Sequence, residues 1–408
     1  MTTFHAAVGG EISAGEGDVI QEALSAIRQH LGMEVAYFSE FVDGRAIFRR
    51  VDAPGLEHMI KVGDSQSLND VYCNHILEGR LPQLMPDTAA EPLAMSMAIT
   101  AAVPIGSHAS IPVLLPDGRP FGMFCCLSPR PNASLNARDL DVMRVFAGLA
   151  TKQVQLEIQD GRAYRDKRRA VEGVIAQNAF EIAYQPIVSL VTMTTVSFEA
   201  LSRFRPEPYR SPDKWFKDAG EVGLGVELEL AAIRASVAAF EHLPDDVTLS
   251  VNVSPLCVTS GRLLDFLDPA FLTRTVVELT EHAQVADYCE LARELAPLRA
   301  AGVKIAIDDA GAGYSGLQHI VQMSPDIIKM DMSLTRGIDE DRARRALASA
   351  MIYYAAETGA VMVAEGVETI AELETLKALG IARGQGYLLG RPAGLDAVRA
   401  SLRDARSA

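Results

Sequence analysis

In the second half of this chain, acidic and amide residues repeatedly close short apolar runs: TTVSFEALSR, VTLSVNVS, TVVELTE, KIAIDDAG, DIIKMD and VMVAEGVE. Carboxylates gathered in one place repel one another unless cations lie among them. Oxygen ligands of this kind suit hard divalent cations such as Mg²⁺ or Mn²⁺. Two such ions can clamp an in-line displacement at phosphorus. The pattern therefore predicts a metal-dependent hydrolase. The eight histidines show no ligand spacing, which argues against zinc.

The elements that must position these groups are strands, on which alternate residues face the same way. Glu199, Leu201 and Arg203 share a face, so a carboxylate for metal and an arginine for phosphate point to one rim. Asn252 lies opposite Val251 and Val253 and offers an amide inward. Glu278 and Thr280 share a side, and Glu281 lies just past the strand end. Asp308 and Asp309 are adjacent and reach one site only if the strand ends there; the glycines from Gly311 onward place that end. Lys329 and Asp331 share a face, and Glu365 and Glu368 flank Gly366. Alone, each has a plainer explanation: a helix cap for an acid after a strand, a turn for the glycines, a surface position for the lysine. It is their order on successive strand ends that points to a site.

From residue 178 these strand-like runs alternate with helical ones such as ELELAAIRASVAAFEHL and ARRALASAMIYYAAETG. That alternation predicts βαβ units and a parallel sheet. With EIAYQPIVSL and the closing GQGYLLG the count reaches about eight strands, the number that closes a barrel with its site at the C-terminal rim.

Composition agrees. The 408 residues favour two domains, and 49% are hydrophobic, ample for real cores. The net charge of −15 argues against long nucleic acid as a partner, because such binding relies on Lys and Arg. A small phosphorylated ligand held through metal ions remains compatible with it. The five cysteines have irregular spacing and read as buried free thiols of a reducing compartment. The N-terminus has no basic stretch followed by an apolar one, and no apolar run spans a bilayer, so the expected place is the cytoplasm, without membrane contact.

Taken together, YQPIV, FEALSRF, VNVS, ELTE, DDAGAGYSG, IKMD, AEGVET and QGYLLGRP resemble an EAL domain, the family of cyclic di-GMP phosphodiesterases. They occur in family order over essentially the whole C-terminal half. The resemblance implies a modified (β/α)₈ TIM-type barrel over 178–408 that opens cyclic di-GMP to the linear dinucleotide with two Mg²⁺ or Mn²⁺ ions and no organic cofactor. It implies metal ligands at Glu199, Asn252, Glu278, Asp308 and Asp309, with Glu365 serving the metals or their water. It implies Lys329 and Gln385 beside the attacking water, and Gln185 and Arg203 against substrate. Glu281 and Glu368 match acids that hold the loop after the fifth strand, and Ser315 lies in that loop. Three residues depart from the family: Ala312 is a mild change, Ala310 stands for a phenylalanine and Gly316 for a serine. They keep open the alternative of a catalytically silent cyclic di-GMP receptor that signals to a protein partner.

Residues 1–150 read as a separate α/β module. IQEALSAIRQHLGM has helical spacing. Asp43-Gly44 and Asp117-Gly118 mark two hairpins. Asn136 is a candidate N-cap for a helix over 138–177, with Gly161 as a possible break and 151–177 as the connector. The order is similar to a GAF domain, which implies a sensor with a small-molecule ligand of unknown identity and a chain that forms homodimers. Cys73 invites comparison with a chromophore attachment site, but its early helix favours a packed thiol. Nothing sets His58, His75 or His108 apart as ligands. No cyclase segment is present.

Overall fold

The computed structural model describes residues 18–279, 287–310 and 320–407. Two units separate between Arg165 and Asp166. Among the described residues no helix is long and apolar enough to cross a membrane.

The first unit is built on a six-stranded antiparallel sheet. Its strands are β1 (Val35–Val42), β2 (Arg45–Asp52), β3 (Ser65–Ser67), β4 (Leu84–Met85), β5 (Ser107–Leu114) and β6 (Pro120–Ser128), in the order β3-β2-β1-β6-β5-β4. Asp43 and Gly44 join β1 to β2 with φ of 47° and 74°, the left-handed pair that a tight hairpin needs. Period-2 alternation gives the sheet two apolar faces. Ala36, Phe38, Phe124 and Cys126 pack with the helix Val19–Leu31 and the start of the long helix. Tyr37, Met123, Cys125 and Leu127 pack with the segments between β3 and β5. Asp18 caps the first helix by accepting from the Ile20 and Gln21 amides, and Gly32 ends it at φ 58°.

The long helix runs from Ala137 to Gln177 and continues unbroken past Gly161. Its start is a reciprocal cap: Asn136 Oδ1 accepts from the Arg138 amide, and the Asn136 amide donates to Asp139 Oδ2.

The second unit is a closed eight-stranded barrel. Its strands are β7 (Phe180–Ser189), β8 (Thr195–Phe204), β9 (Thr248–Val253), β10 (Thr275–Leu279), β11 (Lys304–Ala310), β12 (Ile327–Met330), β13 (Val361–Ala364) and β14 (Arg383–Gly384). Helices lie between successive parallel strands, as at Tyr288–Ala300 and Arg342–Thr358. Alternation sorts the side chains. Val277, Ile307, Ile328 and Met362 face the helix layer. Val276, Ala306, Ile327 and Val363 join Ile187 inside the barrel. Their next neighbours on the same face are Glu278, Asp308, Lys329 and Glu365, so an apolar plug lies beneath a polar floor.

Three expectations are corrected. The barrel is not wholly parallel: β7 runs antiparallel to both β8 and β14. A short return, not a crossover helix, joins β7 to β8, and this forces the inversion. The last strand is only Arg383–Gly384, not the whole of GQGYLLG. From Gln385 onward the backbone bonds a neighbouring turn, with Val367 donating to Gln385 O and Leu388 donating to Val367 O. The chains touch so closely there that a Cβ on Gly386 would lie 2.2 Å from Val367 N. Finally, the cysteines are free, but Cys289 is exposed in the first turn of its helix.

Two glycines of the first unit give opposite predictions. A Cβ on Gly122 would fall 1.8 Å from Ser39 O, beside the irregularity in β1, whereas Gly148 has open space and lies inside the long helix. Gly122→Ala should destabilise the protein by more than about 2 kcal/mol, and Gly148→Ala should stabilise it by about 0.5–1 kcal/mol. Urea unfolding of the two variants checks both.

Candidate active site

The floor of the barrel mouth centres on one ammonium. Lys329 Nζ lies 2.6 Å from Glu365 Oε1, 2.9 Å from Glu278 Oε2, 3.0 Å from Asp308 Oδ1 and 3.4 Å from Glu199 Oε2. Lys329 and Glu278 are each 1% exposed. Four different strands or strand ends supply these carboxylates, and β12 supplies the lysine. Register explains the convergence: Glu278 pairs across with Asn252 and Ala306, and Ile307 pairs with Ile328, which sets Asp308 and Lys329 side by side.

Amides complete the floor. Because β7 is inverted, Gln185 stands directly opposite Glu199. Gln385 Nε2 donates to Glu199 Oε2 at 2.6 Å and to Gln185 Oε1 at 3.1 Å. Asn252 Nδ2 donates to Glu199 Oε1 at 2.9 Å. Gln185 Nε2 donates to Gly390 O at 3.2 Å, which ties the turn after β14 to the floor. Glu199 is thereby held at both oxygens.

The charges do not balance. An ammonium has three N–H groups, and four carboxylates surround it. Asp308 Oδ1 sits within ion-pair distance but receives no hydrogen bond among the described residues. The contact is thus electrostatic, without donor geometry. Burial raises the Glu278 carboxyl to about 8, against the downward pull of Lys329. Burial also raises Glu365 well above the ordinary carboxylate range. For Lys329 burial acts downward, but Asp308, Glu199, Glu278 and Glu365 outweigh it and hold the ammonium well above its usual value. Like-charge crowding of this degree calls for further cations.

The donor set answers what those cations are. It is oxygen only, with carboxylates in excess and one orphaned Asp308 oxygen, and this fits a hard divalent ion. Among the described residues no three acids, histidines or cysteines are already spaced as a metal cage. The carboxylates converge on the ammonium, not on a common empty point.

Other predicted residues fall nearby or elsewhere. Arg203 and Asn252 line a recess beside the floor, together with Phe216 and Glu229. The Arg203 guanidinium donates to Ser202 O. Glu368 lies apart from the cluster, half-exposed and paired with Arg336. Glu281, Ser315 and Gly316 lie outside the described residues, as does the Asp309 side chain. Ala310 is fully buried at the end of β11, and its carbonyl accepts from the Asp331 amide.

The sequence reading passed over Glu229. Its Oε2 accepts from the Ser254 amide at 2.8 Å, and burial raises its carboxyl. In sequence it sits among the alternating acids of ELELAAIR and looks like part of a solvated helix face.

The raised carboxyls fix a pH dependence. A group whose folded pKa exceeds its unfolded value stabilises below the unfolded value and loses that contribution as pH rises through the folded one. For Glu278 the window is about 4.5 to 8. In chelator, the stability of the second unit should fall across this window, with Glu278 contributing up to about 5 kcal/mol at ~1.4 kcal/mol per pH unit and the raised Glu365 carboxyl adding to the fall. Glu278→Gln should lessen the slope, with Glu365 supplying what remains. Denaturant melts from pH 5 to 8.5 check this.

With this geometry in hand, comparison with known proteins is informative. The EAL domain family matches residues 166–392, more than half of the chain, and the GAF domain family matches residues 13–152. A cyclic di-GMP phosphodiesterase of Pseudomonas aeruginosa is 27% identical over 311 residues, covering 73% of this chain and 52% of the relative. A second, NbdA of the same organism, is 31% identical over 286 residues, covering 67% and 34%. The chain thus spans about a third to a half of these curated relatives. Among solved structures, the phosphodiesterase PaMucR in complex with c-di-GMP is 27% identical, with a TM-score of 0.52 over 57% of this chain and 99% of that one.

Proposed function

The chain belongs to the EAL domain family, with a GAF domain ahead of the barrel, and on that premise we propose that it hydrolyses cyclic di-GMP to linear 5′-pGpG under control of the GAF domain. The observation that carries this reading is the buried Lys329 ammonium among Glu199, Glu278, Asp308 and Glu365. A merely structural salt bridge needs one acid per lysine. Four acids suit a site that handles a polyanion through cations. The names of the similar phosphodiesterases agree with it.

In this reading Glu199, Asn252, Glu278, Asp308 and Asp309 would hold two Mg²⁺ or Mn²⁺ ions, with Glu365 at the edge of the set. Ions so held would lower the pKa of water and offset charge on phosphate oxygens. The rest falls to the protein. The oxygen of a water bonds to one phosphorus, the P–O3′ bond breaks, and O3′ takes up a proton. Glu365 takes the proton that the water gives up. Lys329 stabilises negative charge developing at phosphorus. Gln385, fixed by Glu199 and Gln185, orients the water. Gln185 and Arg203 bind the dinucleotide, the latter through a guanidinium that matches phosphate geometry. A homodimer is part of the proposal; Val145, Leu149 and Leu156 along the long helix are exposed apolar residues in its support.

Chromatography of the purified full chain with cyclic di-GMP tests the reading. Mg²⁺ or Mn²⁺ should yield linear dinucleotide, and chelator should prevent it. Glu199→Gln and Lys329→Met should each slow turnover at least about 100-fold. Saturable binding of the intact dinucleotide without product would overturn hydrolysis and make the protein a receptor.

A further inference from the structure

A second recess lies in the first unit, far along the sequence from the barrel mouth. It opens between one face of the sheet and the segments that follow β2 and precede β5, with an empty volume of about 820 Å³ including its mouth. Val35, Leu127 and His108 form one row across its floor, since Val35 pairs with Leu127 and Leu127 with His108. Among the described residues, none lining it is Asp, Glu, Lys or Arg.

Polar groups are few there. The Tyr72 hydroxyl is 2.6 Å from Thr100 Oγ1 and is therefore engaged, while its ring meets the His108 ring edge-on at 5.2 Å. Gln66 is exposed. His108 is 1% exposed, and its Nδ1 has no hydrogen-bond partner among the described residues. Burial lowers its pKa to about 4, so the ring is neutral at physiological pH. A buried polar atom without a partner destabilises the fold, and a ligand that bonds it recovers that loss.

We propose that this cavity takes an uncharged, mostly apolar ring compound that donates a hydrogen bond to His108, and that it rejects nucleotides and other phosphates. A phosphate buried here would meet no cation, and burying an unpaired charge costs far more than the apolar contact returns. Aromatic and aliphatic walls from Tyr37, Phe48 and Met59 suit a flat ring. Such a compound would be the signal of the regulatory GAF domain; that role rests on the regulatory reading above and is independent of hydrolysis.

The test is a ¹⁹F NMR titration of the full chain with 5-fluoroindole, alongside 5-fluoroindole-2-carboxylate and with cyclic AMP as competitor. The neutral indole should bind saturably, its carboxylate at least tenfold more weakly, and cyclic AMP should not displace it. His108→Phe should weaken binding about three- to tenfold, the loss of one hydrogen bond. Val103→Trp and Leu56→Trp, at the edge of the cavity, should each abolish it, with circular dichroism confirming the fold. Absence of saturable binding at millimolar indole, equal binding of the carboxylate, or binding retained in both tryptophan variants would overturn the proposal. Full hydrolysis of cyclic di-GMP by a chain that binds no indole would overturn this ligand class and leave the phosphodiesterase reading standing.

Discussion

The barrel unit depends on the contact between one buried ammonium and four carboxylates. Lys329 is among the largest fully buried side chains in the molecule. Removing it from water is expensive unless acids surround it. Once four acids do so, the deficit reverses, and the floor carries surplus negative charge in a place that water barely reaches. That surplus lifts the Glu278 and Glu365 carboxyls and suits the floor to divalent cations. The same feature is thus a burden on the fold and the source of the proposed chemistry. Beneath it, Ile187, Val276, Ala306, Ile327 and Val363 seal the barrel, so charge sits only where the mouth can admit ligands.

Topology then decides which amides join the floor. An all-parallel barrel would present the first strand in the same direction as its neighbours. Here β7 is inverted, and Gln185 meets Glu199 in direct cross-strand register. At the other seam β14 stops after Gly384, which frees Gln385 to turn inward and donate to Glu199. The turn that follows is held by Val367 and by Gln185, so both glutamines are fixed by backbone as well as by each other. Two departures from regularity, an inverted strand and a truncated one, produce the amide side of the site.

Much of this was legible in the sequence because strand alternation is a strict rule. Glu278, Asp308, Lys329 and Glu365 sit two residues beyond Val276, Ala306, Ile327 and Val363 on the same face, and that spacing carried them to one layer. The helix cap at Asn136 and the hairpin turn at Asp43-Gly44 were legible from local residue chemistry. What was hidden is nonlocal. The antiparallel pairing of β7 with β14 follows from barrel closure, and the end of β14 from backbone contact between Gly386 and Val367. Glu229 looks like any helix-surface acid until β9 is laid against its helix. His108 resembles an ordinary strand residue in sequence. Its unbonded nitrogen becomes visible only when the sheet and its covering segments enclose it.

The most direct measurement is a crystal structure of the Mn²⁺-loaded protein with anomalous data collected at the manganese edge. The account predicts peaks within ligand distance of Glu199, Glu278 and Asp308, with Lys329 beside them and no longer shared by all four acids. A floor free of anomalous signal, with Lys329 still ringed by Glu199, Glu278, Asp308 and Glu365, would contradict it. The surplus charge would then have to be held by protons alone.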